Sequence, residues 1–327
     1  MIDDRRAMAA AIALSDRGVG RTGVNPNVGC LIVADGRVVG RGWTQPSGRP
    51  HAEAMALAQA GKAAHGATAY VTLEPCAHLS DRGPRCSDLL VEAGVARAVI
   101  AMGDPDPRTN GKGIDLLRAA GILVETGLME AEARAAMAGF FTRAALGRPH
   151  VTLKLALSLD GCIAMADGSS RWITGPEARA HAHVERARAD AILVGRGTLE
   201  ADSPRLDVRL PGLEARAPQP ILLSHSADGL PEGWIHADSL EAVASLPLPG
   251  DRMLVEGGAN VAATFLKADW VDRLLLYRAP VLIGAGRPGL GDIGLVDLPA
   301  AHGRWRRIDR RDFGPDSLEV YVTTARG

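Results

Sequence analysis

His51-Ala52-Glu53 is followed, 22 residues after Glu53, by Pro75-Cys76 and then by Cys86. No other feature restricts the fold as tightly, because an imidazole and two thiols spread over 35 residues must converge if they are to hold one metal ion. A zinc ion that activates water takes three protein ligands and leaves its fourth position to water, whose pKa falls to about 7. One histidine and two cysteines meet that count. Glu53, two residues from a ligand, suits a carboxylate that takes a proton from such a water and delivers it to a leaving amine.

The order H-x-E and then P-C is that of zinc-dependent deaminases, although nine residues separate the cysteines here, where the short-spaced pattern has two. A structural zinc knot is the competing reading, with His51, Cys76, Cys86 and either His78 or Cys30 closing four-coordination. It has no use for Glu53, and it ordinarily pairs its cysteines closely. Unrelated buried cysteines beside a satisfied histidine are the remaining option. Cys30, among apolar strand residues, and Cys162, near a turn, read as packing residues.

With 327 residues the chain has room for two domains, each burying its own core. Its 37 Lys and Arg nearly cancel its 38 Asp and Glu, so any anionic ligand must be held by local groups. Four unevenly placed cysteines do not form a disulfide framework and fit a reducing cytosol. No basic-then-apolar leader opens the sequence and no long charge-free apolar run interrupts it, so neither a signal peptide nor a membrane span is expected.

Periodicity predicts helix over Asp3 to Asp16, then a hairpin, Val28 to Ala34 and Arg37 to Trp43, about an Asp35-Gly36 turn. A helix over His51 to Ala60 is expected to start at Pro50 and stop at Gly61, and a strand over Thr68 to Leu73 to break at Pro75, which would open another helix. Cys86 to Ala93 reads as helix, Arg97 to Met102 as strand, Ile114 to Ala120 as helix, and Met129 to Leu146 as one long helix. Gly147-Arg148-Pro149 is the expected boundary between domains 1–146 and 149–327. Beyond it the pattern restarts: strand His150 to Ser158, helix Pro176 to Arg188, strand Ala191 to Gly195, strands near Ile221 and Met253, helix Asn260 to Lys267 and strand Arg273 to Tyr277. Both halves read as α/β, with no repeat between them and no low-complexity tail beyond the Arg326-Gly327 end.

Asn25-Pro26-Asn27-Val28-Gly29-Cys30, His51-Ala52-Glu53, Thr72-Leu73-Glu74-Pro75-Cys76-Ala77-His78, Ala93-Gly94-Val95 and Ala101-Met102-Gly103-Asp104-Pro105 together resemble the deaminase half of the bifunctional deaminase/reductases of riboflavin biosynthesis. Lys154 to Gly161, Ser170 to Gly175 and Val255-Glu256-Gly257-Gly258 resemble the reductase half. The resemblance implies a cytidine-deaminase-like αβα sandwich followed by a dihydrofolate-reductase-like α/β domain. It implies zinc-dependent deamination of a phosphoribosylamino-pyrimidine, then NADPH-dependent reduction of its ribosyl group to ribityl, in a homodimer or tetramer.

By motif position, the resemblance implies that His51, Cys76 and Cys86 hold zinc, that Glu53 shuttles protons, and that Asn25, His78 and Arg82 touch the substrate. It departs from the family in the segment between the cysteines, which is one residue longer and shifts the match of its basic residues; Arg82 is still preferred to Arg85 as the phosphate contact. In the second half it implies an NADPH site of Ala156, Trp172, Thr198, Asp202, Ser226, Gly258, Ala259, Asn260, Val261, Ala262, Ala263 and Thr264. Lys154, Ser170, Arg186, Leu206, Arg209 and Glu256 would face the substrate. Asp202-Ser203-Pro204 and Asp207 also depart from the family pattern.

The residues agree with part of this. Glu256-Gly257-Gly258 follows a strand and opens a helix, where backbone N–H groups and the helix dipole favour a phosphate. Gly284 to Gly289 is the only literal G-x-G-x-x-G, but Pro288 and further glycines mark it as a loop. A nucleobase deaminase acting on nucleic acid, its second half a binding module, is the alternative. A chain that is 4% aromatic with net charge −1 offers no basic, stacking groove for it.

Overall fold

The computed structural model describes residues 2–324, so the Arg326-Gly327 end lies outside the described residues. The chain divides into two compact units, Met1–Gly147 and Arg148–Gly327.

The first unit is built on a five-stranded sheet. Helix α1 (Asp4–Ser15) starts where the Asp3 side chain accepts the Arg6 N–H at 2.8 Å. Strands β1 (Gly29–Ala34) and β2 (Arg37–Trp43) form the expected hairpin, whose Asp35 and Gly36 both take positive φ as a tight turn requires. Helix α2 (Ala52–Ala60), β3 (Thr68–Val71), α3 (Cys86–Glu92), β4 (Arg97–Ile100), α4 (Lys112–Ala119) and β5 (Leu123–Thr126) follow. The strand order is β2-β1-β3-β4-β5, with β3, β4 and β5 parallel and β1 antiparallel to both its neighbours.

Glycines set how closely the helices lie. A Cβ on Gly29 would stand 1.9 Å from the Ala11 carbonyl oxygen of α1, and one on Gly42 1.9 Å from that of Ala52 in α2. Gly42 pairs with Cys30, the residue after Gly29, so α1 and α2 cover opposite faces.

Two expectations fail here. Pro75 opens no helix: residues 72–85 are irregular and α3 begins at Cys86 itself. The stretch from Met129 to Leu146 is two helices, α5 (Glu130–Ala136) and α6 (Ala138–Leu146), separated at Met137. Met137 leaves helical geometry (φ −103, ψ 24) with its side chain fully buried in the first core, and an Ala-rich pattern carries no mark of such a turn.

The second unit carries an eight-stranded sheet in the order β10-β9-β8-β11-β6-β12-β15-β14. Its elements are β6 (His150–Leu157), β7 (Cys162–Ala164), α7 (Pro176–Ala187), β8 (Ala191–Gly195), α8 (Arg196–Asp202), β9 (Gln219–Leu223), β10 (Ile235–Ala237), α9 (Leu240–Ser245), β11 (Arg252–Val255), α10 (Ala259–Lys267) and β12 (Val271–Arg278). A two-residue strand β13 (Arg287–Pro288) pairs with β7, so the G-x-G-x-x-G run is a loop, as its proline requires. A terminal hairpin closes the sheet: β15 (Asp316–Thr323) pairs antiparallel with β12, the last of the six parallel strands, and β14 (Trp305–Phe313) pairs antiparallel with β15 at the edge. At the unit's start, buried Arg148 forms a two-pronged pair with Asp272 at 2.7 and 2.9 Å and lies over the Trp270 ring. No helix among the described residues is long and apolar enough to cross a membrane.

Candidate active sites

In the first unit, two helix starts meet. His51 is the N-cap of α2, and Cys86 is the first residue of α3. Cys76 comes from the irregular chain after β3, anchored by the Cys86 N–H to its sulfur at 3.3 Å and by Ser87, whose hydroxyl donates to the Cys76 carbonyl at 3.1 Å. The His51 Nδ1 lies 3.3 Å from Cys86 Sγ and 3.6 Å from Cys76 Sγ, and all three donor atoms fall within 4.8 Å of one another. His78 and Cys30 do not join the group, so among the described residues the set stays at three. Two sulfurs and an imidazole nitrogen at this spacing fit zinc.

Hydrogen bonding from Cys86 draws the Cys76 thiol well down, to about 4, and the same bond pushes Cys86 up. Glu53, on the first turn of α2, is 3% exposed, and burial pushes its carboxyl above the ordinary range against the pull of His51. A carboxyl buried this close to the three donors is placed to exchange a proton with a water held there.

Around this centre lie the other expected residues. Asn25 donates to the Thr22 carbonyl at 3.0 Å and packs on Gly48. His78 Nδ1 meets the buried Thr109 hydroxyl at 3.4 Å. Arg82 donates to the Ser47 carbonyl at 2.8 Å. Arg49, which the sequence reading passed over, reaches the Pro84 carbonyl at 3.5 Å, so these two arginines bridge the same pair of loops from opposite sides. Neither has a carboxylate partner among the described residues, whereas Arg85 is bound to Asp88 at 2.6 Å. A basic residue two positions before the ligand His51 was the available signal for Arg49.

In the second unit a cleft of about 2440 Å³ lies outside the carboxyl ends of the parallel strands, where open α/β sheets bind ligands. Its walls include Lys154, Ala156, Ser170, Trp172, Arg186, Thr198, Asp202, Leu206, Arg209, Ser226, Glu256, the run Gly258 to Val261, and Thr264. Ala262 and Ala263 are not among them. They are 0% and 6% exposed, because a helix turning 100° per residue sends part of any continuous run into the core.

At the floor, Arg186 grips Glu256 with two bonds of 2.8 and 3.0 Å and gives its third nitrogen to the Asp207 carbonyl. Lys154 Nζ stands 3.8 Å from the same carboxylate. Burial alone would push Glu256 up, but Lys154 and Arg186 outweigh it and hold it at about 2. Asp202 faces Arg171 at 3.4 Å, and Trp172, 64% exposed, is flanked by the Arg179 and Arg171 guanidinium groups. Leu206 is buried at φ +54, so it offers the cleft main chain more than side chain.

Gly257 and Gly258 turn from β11 into α10, whose N-cap, Gly258, supplies no side-chain cap. The first N–H groups of α10 are thus left for a phosphate. A Cβ on Gly257 would meet Val261 at 2.5 Å, so the turn is closed to larger residues. Cleft size, open helix start and flanking Trp172 fit a dinucleotide.

The sequence profile of the cytidine and deoxycytidylate deaminase zinc-binding region matches residues 1–102, and that of the RibD C-terminal domain matches residues 149–316. The riboflavin biosynthesis protein RibD of Escherichia coli is 38% identical over 360 residues, covering 96% of this chain and 98% of that protein. RibD of Mycobacterium tuberculosis is 39% identical over 325 residues, covering 95% of each. Among solved structures, Acinetobacter baumannii RibD superposes with a TM-score of 0.86 at 35% identity, covering 98% of this chain and 99% of that one. A Thermotoga maritima diaminohydroxyphosphoribosylaminopyrimidine deaminase/5-amino-6-(5-phosphoribosylamino)uracil reductase gives 0.86 at 31% identity, covering 98% of both chains.

Proposed function

The chain belongs to the RibD family of bifunctional riboflavin biosynthesis enzymes, and from that premise we propose which of its residues carry each reaction. It is a zinc-dependent deaminase joined to an NADPH-dependent reductase, a cytidine-deaminase-like αβα sandwich followed by a dihydrofolate-reductase-like domain. Its substrate is 2,5-diamino-6-hydroxy-4-(5-phosphoribosylamino)pyrimidine, deaminated first and then reduced from ribosyl to ribityl. We assign deamination to residues 1–146 and reduction to residues 149–327.

In the first half His51 Nδ1, Cys76 Sγ and Cys86 Sγ would hold zinc, which supplies Lewis-acid activation of water when bound. Glu53 accepts the proton that water gives up and returns it to the departing amino group, a role supported by its burial two residues from His51. Asn25 and His78 orient the pyrimidine. Arg82 and Arg49, free of carboxylates, take the phosphate; Arg85, neutralised by Asp88, does not.

In the second half NADPH supplies the hydride. Its pyrophosphate would rest on the uncapped start of α10, with Ala156, Trp172, Thr198, Asp202, Ser226 and Thr264 lining the rest of the nucleotide. Arg186 has its donors committed to Glu256 and Asp207, so it fixes the Glu256 carboxylate as an acceptor for sugar hydroxyls. Arg209, half-exposed and only loosely paired with Asp207 at 3.4 Å, is the phosphate ligand. Lys154 is the cation next to the reacting sugar, and Ser170 and the Leu206 main chain complete the substrate wall. The four free cysteines support a reducing, cytosolic setting, and a homodimer or tetramer is what the resemblance implies.

The three-donor cluster beside buried Glu53 carries the deaminase assignment. Its test is Glu53→Ala, which is expected to retain zinc and NADPH-dependent reduction of supplied uracil compound, while ammonia release falls by about 10²- to 10⁴-fold. Normal deamination by that protein would refute the assignment.

A further inference from the structure

Glu74 is 3% exposed, and its carboxylate faces main chain alone. Oε2 accepts N–H bonds from Asp104 at 3.3 Å and Gly111 at 2.9 Å; Oε1 accepts from Gly113 at 2.9 Å and Ile114 at 3.2 Å. Gly111, the N-cap of α4, has no side chain to offer, so Glu74 caps that helix from outside. Gly113 presses on the same turn: a Cβ there would stand 2.1 Å from the Pro75 carbonyl oxygen. The 103–111 loop pinned in this way carries Thr109 to His78 and buries Asp104.

Resting on the site assignment above, we propose that Glu74 is a positioning residue of the deaminase. By fixing the 103–114 segment against His78, it shapes the wall that receives the pyrimidine, without itself reaching substrate or metal. Four N–H groups converging on one carboxylate need both oxygens and all their lone pairs. No neutral side chain of that length replaces them.

Glu74→Gln keeps the size but turns an NH2 group toward main-chain N–H donors. In the full-length, zinc-loaded protein, deaminase kcat/KM is expected to fall about 10²-fold through KM, as displaced substrate-positioning groups do. Zinc per chain and NADPH-dependent reduction of the supplied uracil compound should be unchanged, and amide exchange should quicken at Gly111, Gly113 and Ile114 but not in β3 or β4. A wild-type KM, loss of zinc, or quickened exchange throughout the first unit would each overturn the proposal. Should Glu74→Gln not fold, Thr109→Val probes the same wall from the loop side, and a wild-type KM there overturns it equally. Glu53→Ala separates the two levels, since retained deamination in that variant refutes the site assignment whatever Glu74 does.

Discussion

Glu53 is buried and Glu256, its side chain 10% exposed, nearly so, and their surroundings drive them in opposite directions. Burial dominates at Glu53 and pushes its carboxyl above the ordinary range. At Glu256, Lys154 and Arg186 overcome burial and hold the carboxylate ionised down to about 2. A folded-state value below the ordinary 4.5 means that Glu256 contributes stability above 4.5 and loses it as pH falls toward 2. Urea unfolding followed by Trp fluorescence, which reports mainly the second unit since four of the five Trp lie there, should show this part of the acid loss in wild type and not in Glu256→Gln. A second residue-scale prediction concerns phosphate. Arg49→Ala and Arg82→Ala should each raise the deaminase KM about 10- to 10²-fold, the worth of a charged hydrogen bond, and leave the KM of the dephosphorylated substrate unmoved. At this scale the three-donor cluster and Glu53 were legible as candidates because each residue type is dictated by its chemistry. Arg49 and Glu74 were not, because a guanidinium crossing between loops and a carboxylate serving backbone N–H groups depend on neighbours distant in sequence.

Elements place those groups, and small residues decide how well. Helix α2 sits on β2 because Gly40 and Gly42 let the Ala56 and Ala52 carbonyls approach; a Cβ on either glycine would stand about 2 Å from them. His51 is the residue just before Ala52, so Gly42→Ala should push the ligand out of register with Cys76 and Cys86. Overpacking of this kind costs about 1–3 kcal/mol. Metal analysis and ammonia release should show weaker zinc retention and lost deamination, with NADPH-dependent reduction intact. The elements that sequence foretold are those with local signals: the Asp35-Gly36 turn, Gly61 after α2, Pro176 opening α7. The break at Met137 escaped because burial, not local propensity, makes it. The β14–β15 hairpin escaped because β14 is an edge strand crowded with arginine, and such charges guard an edge while hiding its alternation.

The two halves were distinguishable in sequence because the pattern of strands and helices restarts after Gly147, and each builds its core from its own residues. The first core draws on residues from Ala7 to Met137, and the second unit's clusters begin at Val151. Arg148, bound to Asp272 and stacked on Trp270, ties the first residue of the second unit to that unit's own sheet. Among the described residues, the three-donor cluster lies in the first unit and the large cleft in the second. Removing the metal leaves a thiol pair and Glu53 buried without the charge that balances them, which costs stability only where they are. A chelator-treated protein should therefore lose ammonia release and unfold its first unit at lower urea. It should still oxidise NADPH at the wild-type rate when the deaminated compound is supplied, and added zinc should restore the first reaction. Loss of both activities on chelation would mean that the reductase depends on the metal-bound state of the deaminase, and the separation of cores would then not extend to function.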